Sequence, residues 1–162
     1  MIDNATIAMI DADVSAQYDK MGYRPVVVMI VKNPQGQVLL VQSAKSHASW
    51  GFPQGGVNRG ESVLSAVRRE LAEETGIRQG VKIVKFCGMN QIAMPGREKR
   101  DGFTSGKRYY YFYLVCDTAP TVVLQAEELA DYCWKLPAEV PEILSTLNEE
   151  KRETLLRALT QS

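Results

Sequence analysis

Glu70, Glu73 and Glu74 fall at positions i, i+3 and i+4 of the stretch "VRRELAEET". If that stretch is helical, residues three and four apart share a face, so the three carboxylates converge. Two readings stand at this point. One is a solvated acidic face, with Arg68 and Arg69 offsetting the charge. The other is a cluster of hard oxygen ligands suited to Mg²⁺ or Mn²⁺, ions that bridge to phosphates and keep some of their waters. Gly55 and Gly56 lie just upstream in "FPQGG", where missing side chains let a loop turn tightly and its backbone approach a ligand.

The surrounding pattern says what must hold these residues in place. A helix is expected near 61–75, with Val63, Leu64, Val67 and Leu71 as its apolar stripe and Gly76 as its stop. Before it, "PVVVMIV" and "VLLVQS" read as strands joined by the turn chemistry of "KNPQGQ", and residues 44–60 read as a loop. After it, "VKIVKFCGMNQIAM" and "KRYYYFYLVCD" read as long strands separated by a basic loop, with short strands at "TVVLQ" and "DYCWKL". The tail from Pro137 has leucines at helical spacing and reads as one or two helices. Residues 1–20 show no clear periodicity and are either an ordered extension or a loose arm. Strands interleaved with helices predict an α/β chain with a mixed sheet covered on its faces.

The global numbers exclude little. The 162 residues suit one domain, and 19 basic against 19 acidic residues leave no overall field to mark a nucleic-acid or membrane binder. Cys87, Cys116 and Cys133 are odd in number and far apart, which suits reduced core thiols better than a disulfide framework. No leader pattern opens the chain, and "VVVMIV" is too short to span a bilayer, so the expected setting is cytoplasmic with no membrane partner.

Gly55, Glu61, Arg69-Glu70-Leu71, Glu73-Glu74, Gly76 and Ile77 together match every fixed position of the Nudix box, and the chain resembles a Nudix hydrolase. The resemblance implies an α/β/α sandwich with a central mixed sheet, a single domain over 22–162 and an extension over 1–21. It also implies a dependence on Mg²⁺ or Mn²⁺ and hydrolysis of a nucleoside diphosphate linked to another moiety. Under it Glu70, Glu73 and Glu74 hold the metals, one carboxylate helps to activate water, and Gly55 offers a backbone carbonyl. Glu61 and Arg69 form an ion pair that secures loop to helix.

Two flanking pieces bear on the substrate. "GYRPVV" and "WGFPQGGVNRGES" resemble the branch containing bacterial RNA 5′-pyrophosphohydrolases and diadenosine polyphosphate hydrolases. That makes Arg24 a candidate nucleotide contact and Gly56 part of the substrate loop, with an ordinary strand-entry arginine as the alternative. Counting back from Trp134, Glu128 matches a late metal-binding or catalytic glutamate of that branch, with Glu127 as its rival. In "SGKRYYYFYLV", Tyr109 and Tyr111 share one strand face and Tyr110 the other. Tyr109, Tyr111 and Phe103 are candidates to stack a base, and Lys107 and Arg108 to reach phosphates, although core packing is the stronger claim on at least some of the rings. This aromatic segment departs from the RNA-decapping pattern, and the neutral chain offers little to a long RNA. Dinucleoside polyphosphates therefore rank ahead of RNA 5′-ends as the expected partner. A nucleoside triphosphate or nucleotide-sugar hydrolase is the alternative enzyme. A nucleotide-sensing module without catalysis is disfavoured because every box acid is kept. His47, Arg97, Lys99 and Arg100 are read as exposed loop residues.

Overall fold

Residues Pro25–Val31 are buried in an unbroken run, as expected for a strand covered on both faces. A computed structural model describes residues 2–45, 49–95, 101–147 and 149–160. Its elements are α1 (Asn4–Lys20), β1 (Tyr23–Lys32), β2 (Val38–Ser43), β3 (Trp50–Gly51), β4 (Gln54–Gly56), α2 (Val63–Thr75), β5 (Val81–Ala93), β6 (Gly106–Cys116) and β7 (Leu129–Lys135). Short turns of 3₁₀-helix follow around α3 (Val140–Ile143), and α4 (Glu149–Thr160) closes the described chain.

All seven strands form one sheet in the order β3-β2-β1-β6-β5, with β4 also pairing β1 and β7 also pairing β2. The β1–β6 pair is parallel and the others are antiparallel, so the sheet is mixed. Alternating side chains of β1 feed two cores. Val27, Met29 and Val31 pack with Tyr110 and Phe112 beneath α1 and α2. Val26, Val28 and Ile30 pack with Tyr109 and Tyr111 beneath α3 and α4. Helices thus cover both faces, and the α/β/α sandwich is confirmed.

Helix α2 ends where glycine adopts a left-handed conformation: Gly76 has φ 73° and returns its amide to the Ala72 carbonyl. One expectation needs correction, and the open reading of the first 20 residues is decided for an ordered extension. "TVVLQ" forms no strand. Its Val123 and Gln125 amides instead donate to the Thr75 and Glu74 carbonyls (2.8 and 3.2 Å), closing the C-terminal end of α2. Residues 4–20 are a regular helix whose Ile10, Val14 and Gln17 are buried against the sheet. The polar Gln17 in that stripe is what hides the periodicity. Cys87 and Cys116 are buried free thiols and Cys133 is half-buried. No described helix is long and apolar enough to cross a membrane.

Candidate active site

Helix α2 brings Glu70 and Glu74 against the β4 strand, and the glycines there are required by contact. A Cβ on Gly55 would fall inside the Glu70 carboxyl group, and one on Gly56 would lie 2.6 Å from Arg24 Nη2. The two glycines therefore let an acid and a base each lie directly on the backbone. Arg69 ties the assembly together. Its Nε and Nη2 donate to Glu61 at 2.7 and 2.8 Å, and Nη2 also donates to the Gly56 carbonyl at 2.7 Å. This is the loop-to-helix ion pair that the resemblance implies, and the Arg69 hydrogen bond holds the Glu61 carboxyl below its usual range. The same guanidinium goes further, donating to Glu70 at 2.6 Å and to Glu73 at 3.4 Å.

Glu74 is the most enclosed acid. Its Oε1 accepts the Gln54 amide at 2.8 Å, and the residue is only 9 % exposed. Burial pushes its carboxyl up to about 7 from an ordinary 4.5, with the charges of Glu70, Glu128 and Glu73 adding to the rise. One backbone hydrogen bond does not offset that desolvation. Burial also raises Glu70, against the pull of Arg69. Glu73 is half exposed.

Among the described residues no three acidic or sulfur and nitrogen ligands are already grouped as a cage, because Arg69 holds Glu70 and Glu73 and the Gln54 amide holds Glu74. The donor set nevertheless fits a hard divalent cation. It is all carboxylate oxygen, and its most buried acid, Glu74, is raised for want of a positive partner.

That shortage has a measurable sign. Glu74 binds its proton more tightly folded than unfolded, so its share of stability is full below about pH 4.5 and is lost as pH rises through about 7. The loss amounts to about 3 kcal/mol. In EDTA, Glu74→Gln is expected to melt several degrees above the parent at pH 8 and to show no such gain at pH 5. Thermal melts at the two pH values check this. An equal gain at both would show that the Glu74 charge is not what destabilises the metal-free protein.

A cleft of about 320 Å³ opens beside Glu74, with Arg24, Lys107, Lys45, Trp50 and Glu128 also on its walls. Arg24 also lies 3.9 Å from Asp101. Glu128 pairs with Lys45 at 3.1 Å, while Glu127 is exposed and not on the cleft wall.

Three assignments made from sequence are corrected here. Arg108 turns to the other face of β6, where Asp13 accepts from its Nη1 at 2.9 and 3.0 Å and Gln91 from its Nε and Nη2. It is spent on α1 and does not reach the cleft. Tyr109 and Tyr111 do share a face, but α4 buries them to 3 and 4 % exposure, and Tyr111 donates its hydroxyl to Asn90. Phe103 is buried edge-on against Tyr18. None of these rings offers a free face. Of the two aromatics lining the cleft, Phe52 is buried and Trp50 on β3 is half-buried, and the signal of Trp50 in the sequence was its place directly before the glycine loop. His47, Arg97, Lys99 and Arg100 lie outside the described residues.

The NUDIX domain model matches residues 22–158. The chain belongs to the NUDIX family. Among curated NUDIX relatives, the RNA pyrophosphohydrolase of Proteus mirabilis is 52 % identical over 67 residues, a match covering 41 % of this chain and 38 % of that protein. The chain therefore matches well under half the length of that relative. Solved structures extend the likeness in fold across the chain. The Escherichia coli dihydroneopterin triphosphate pyrophosphohydrolase superposes with a TM-score of 0.70 at 16 % identity, covering 86 % of this chain and 96 % of that one. A Caenorhabditis elegans Ap4A hydrolase complex gives 0.63 at 19 % identity, covering 83 % and 95 %. At these identities the superpositions speak for the NUDIX fold alone.

Proposed function

We propose that this protein is a divalent-metal-dependent pyrophosphohydrolase that cleaves a phosphoanhydride bond of a nucleotide, with the 5′-triphosphorylated end of RNA as its favoured substrate and dinucleoside polyphosphates second. The observation that supports it most is the packing of the intact box: Glu70 and Glu74 lie against Gly55 and Gln54, and Glu74 lines a cleft with Arg24, Lys45 and Lys107 on its walls.

Glu70, Glu73 and Glu74 would hold the cations, with Glu128 reaching in from the cleft and the Gly55 carbonyl as a further oxygen. Bound there, Mg²⁺ or Mn²⁺ supplies charge neutralisation of the phosphates and a more acidic water. Arg24 and Lys107 orient the phosphate chain, and Gly56 lets it approach the backbone. Trp50 offers the apolar face on which the first base stacks, in place of the buried tyrosines. Glu128 accepts the proton of the attacking water. Its exposed pair with Lys45 is worth at most about 1 kcal/mol, so that carboxylate exchanges partners at little cost.

The order of substrates reverses the one expected from sequence. That order relied on the neutral chain and the departure of the aromatic strand from the decapping pattern, with Tyr109, Tyr111 and Phe103 as candidate stacking surfaces for a compact substrate, and all three rings are buried. The name borne by the Proteus mirabilis relative favours the RNA end. Competition in Mg²⁺ between diadenosine tetraphosphate and a short triphosphorylated RNA tests this. The RNA is expected to be preferred about tenfold, roughly 1.4 kcal/mol at the transition state. Preference for the dinucleotide would restore the earlier order.

A further inference from the structure

Helix α1 precedes the span of the family match, which begins at residue 22, yet it grips the segment that sets the acids in place. Val63, the first residue of α2, is wholly buried, and its amide has no carbonyl partner within the helix. Asp11 Oδ1 of α1 accepts that amide at 2.7 Å. Ser62, the residue placed to cap α2, makes no side-chain cap bond. Two turns along α1, the Tyr18 hydroxyl donates to the Val57 carbonyl, and the Arg59 guanidinium lies 5.1 Å over the Tyr18 ring. Helix α1 therefore holds both ends of residues 57–63, the piece joining Gly55 to the helix that bears Glu70, Glu73 and Glu74. Its other side is fixed to the sheet, through Asp13 to Arg108 and through Gln17 to the Tyr23 amide at 3.0 Å.

We propose that Asp11 is a positioning residue for the site: by capping α2 from another helix it sets the rotation and height of the three glutamates over Gly55. This rests on the metal-site reading above, and it gives the N-terminal helix a role in the activity.

Wild type, Asp11→Ala, Asp11→Asn and Val14→Ala are compared as full-length chains. Mn²⁺ affinity is read from the electron paramagnetic resonance of the free ion, and kcat and KM are measured alongside, well below each melting temperature. Asp11→Ala is expected to weaken Mn²⁺ binding about tenfold and to lower kcat by a similar factor, with KM little changed. Asp11→Asn should stay near wild type, because asparagine caps a helix as well as aspartate does. Val14→Ala, which loosens the packing of α1 without touching the cap, should lower the melting temperature and leave Mn²⁺ affinity unchanged. Wild-type affinity and kcat in Asp11→Ala would overturn the proposal. So would an Asp11→Asn variant as impaired as Asp11→Ala, or a Val14→Ala variant that loses Mn²⁺ to the same extent. A wild-type protein that binds no Mn²⁺ would overturn the metal reading itself, and the wild-type trace tells that failure apart from the others.

Discussion

Glu74→Gln is expected to lower turnover about a thousandfold or more, roughly 4 kcal/mol of transition-state stabilisation, while the protein stays folded. The exchange removes one charge and nearly keeps the shape, so the loss isolates the ligand role. Glu73→Gln should behave alike in turnover, although Glu73 is half exposed and contributes little to the packing. The two variants differ in stability. Glu74 is desolvated and Glu73 is open to water, so only Glu74→Gln should stabilise the metal-free protein at alkaline pH. A gain in stability coupled to a loss of activity marks a residue kept for function against its own folding cost. Steady-state kinetics in Mg²⁺ check the first part, and near-normal turnover in either variant would mean that the ligands lie elsewhere.

Glu128→Gln is expected to cost about a hundredfold in kcat, the range for losing a positioned proton acceptor, with Glu127→Gln close to wild type. The contrast follows from position: Glu128 lines the cleft with Glu74, and Glu127 does not. Equal activity in both variants would reduce Glu128 to a surface partner of Lys45.

What the sequence revealed depended on how locally each feature is encoded. The box spacing, the amphipathic stripe of α2 and its stop at Gly76 are all written within 23 residues, and each stands where expected. The strands with continuous apolar runs, β1 and β2, were equally plain. The Glu61–Arg69 clamp followed from the resemblance, but the reach of Arg69 to Glu70 and Glu73 did not, because it depends on side-chain geometry across one helical turn. The failures involve long-range partners. Strand alternation correctly put Tyr109 and Tyr111 on one face, yet only the docking of α4 decides that this face is buried. Arg108 was lost to Asp13, 95 residues away along the chain. Residues 121–125 have strand-forming side chains, but the open carbonyls at the end of α2 take their amides first.

The central claim is that this chain hydrolyses a phosphoanhydride with the help of a divalent cation held by its glutamates. The most direct measurement incubates the full-length protein with a short RNA bearing a 5′-triphosphate, in Mg²⁺ and in EDTA, and resolves the products. The account predicts release of phosphate or pyrophosphate from the RNA end in Mg²⁺, none in EDTA, and none with Glu74→Gln. Turnover that persists in EDTA or in Glu74→Gln would contradict it, as would an RNA left intact in both Mg²⁺ and Mn²⁺ alongside an equally intact diadenosine tetraphosphate.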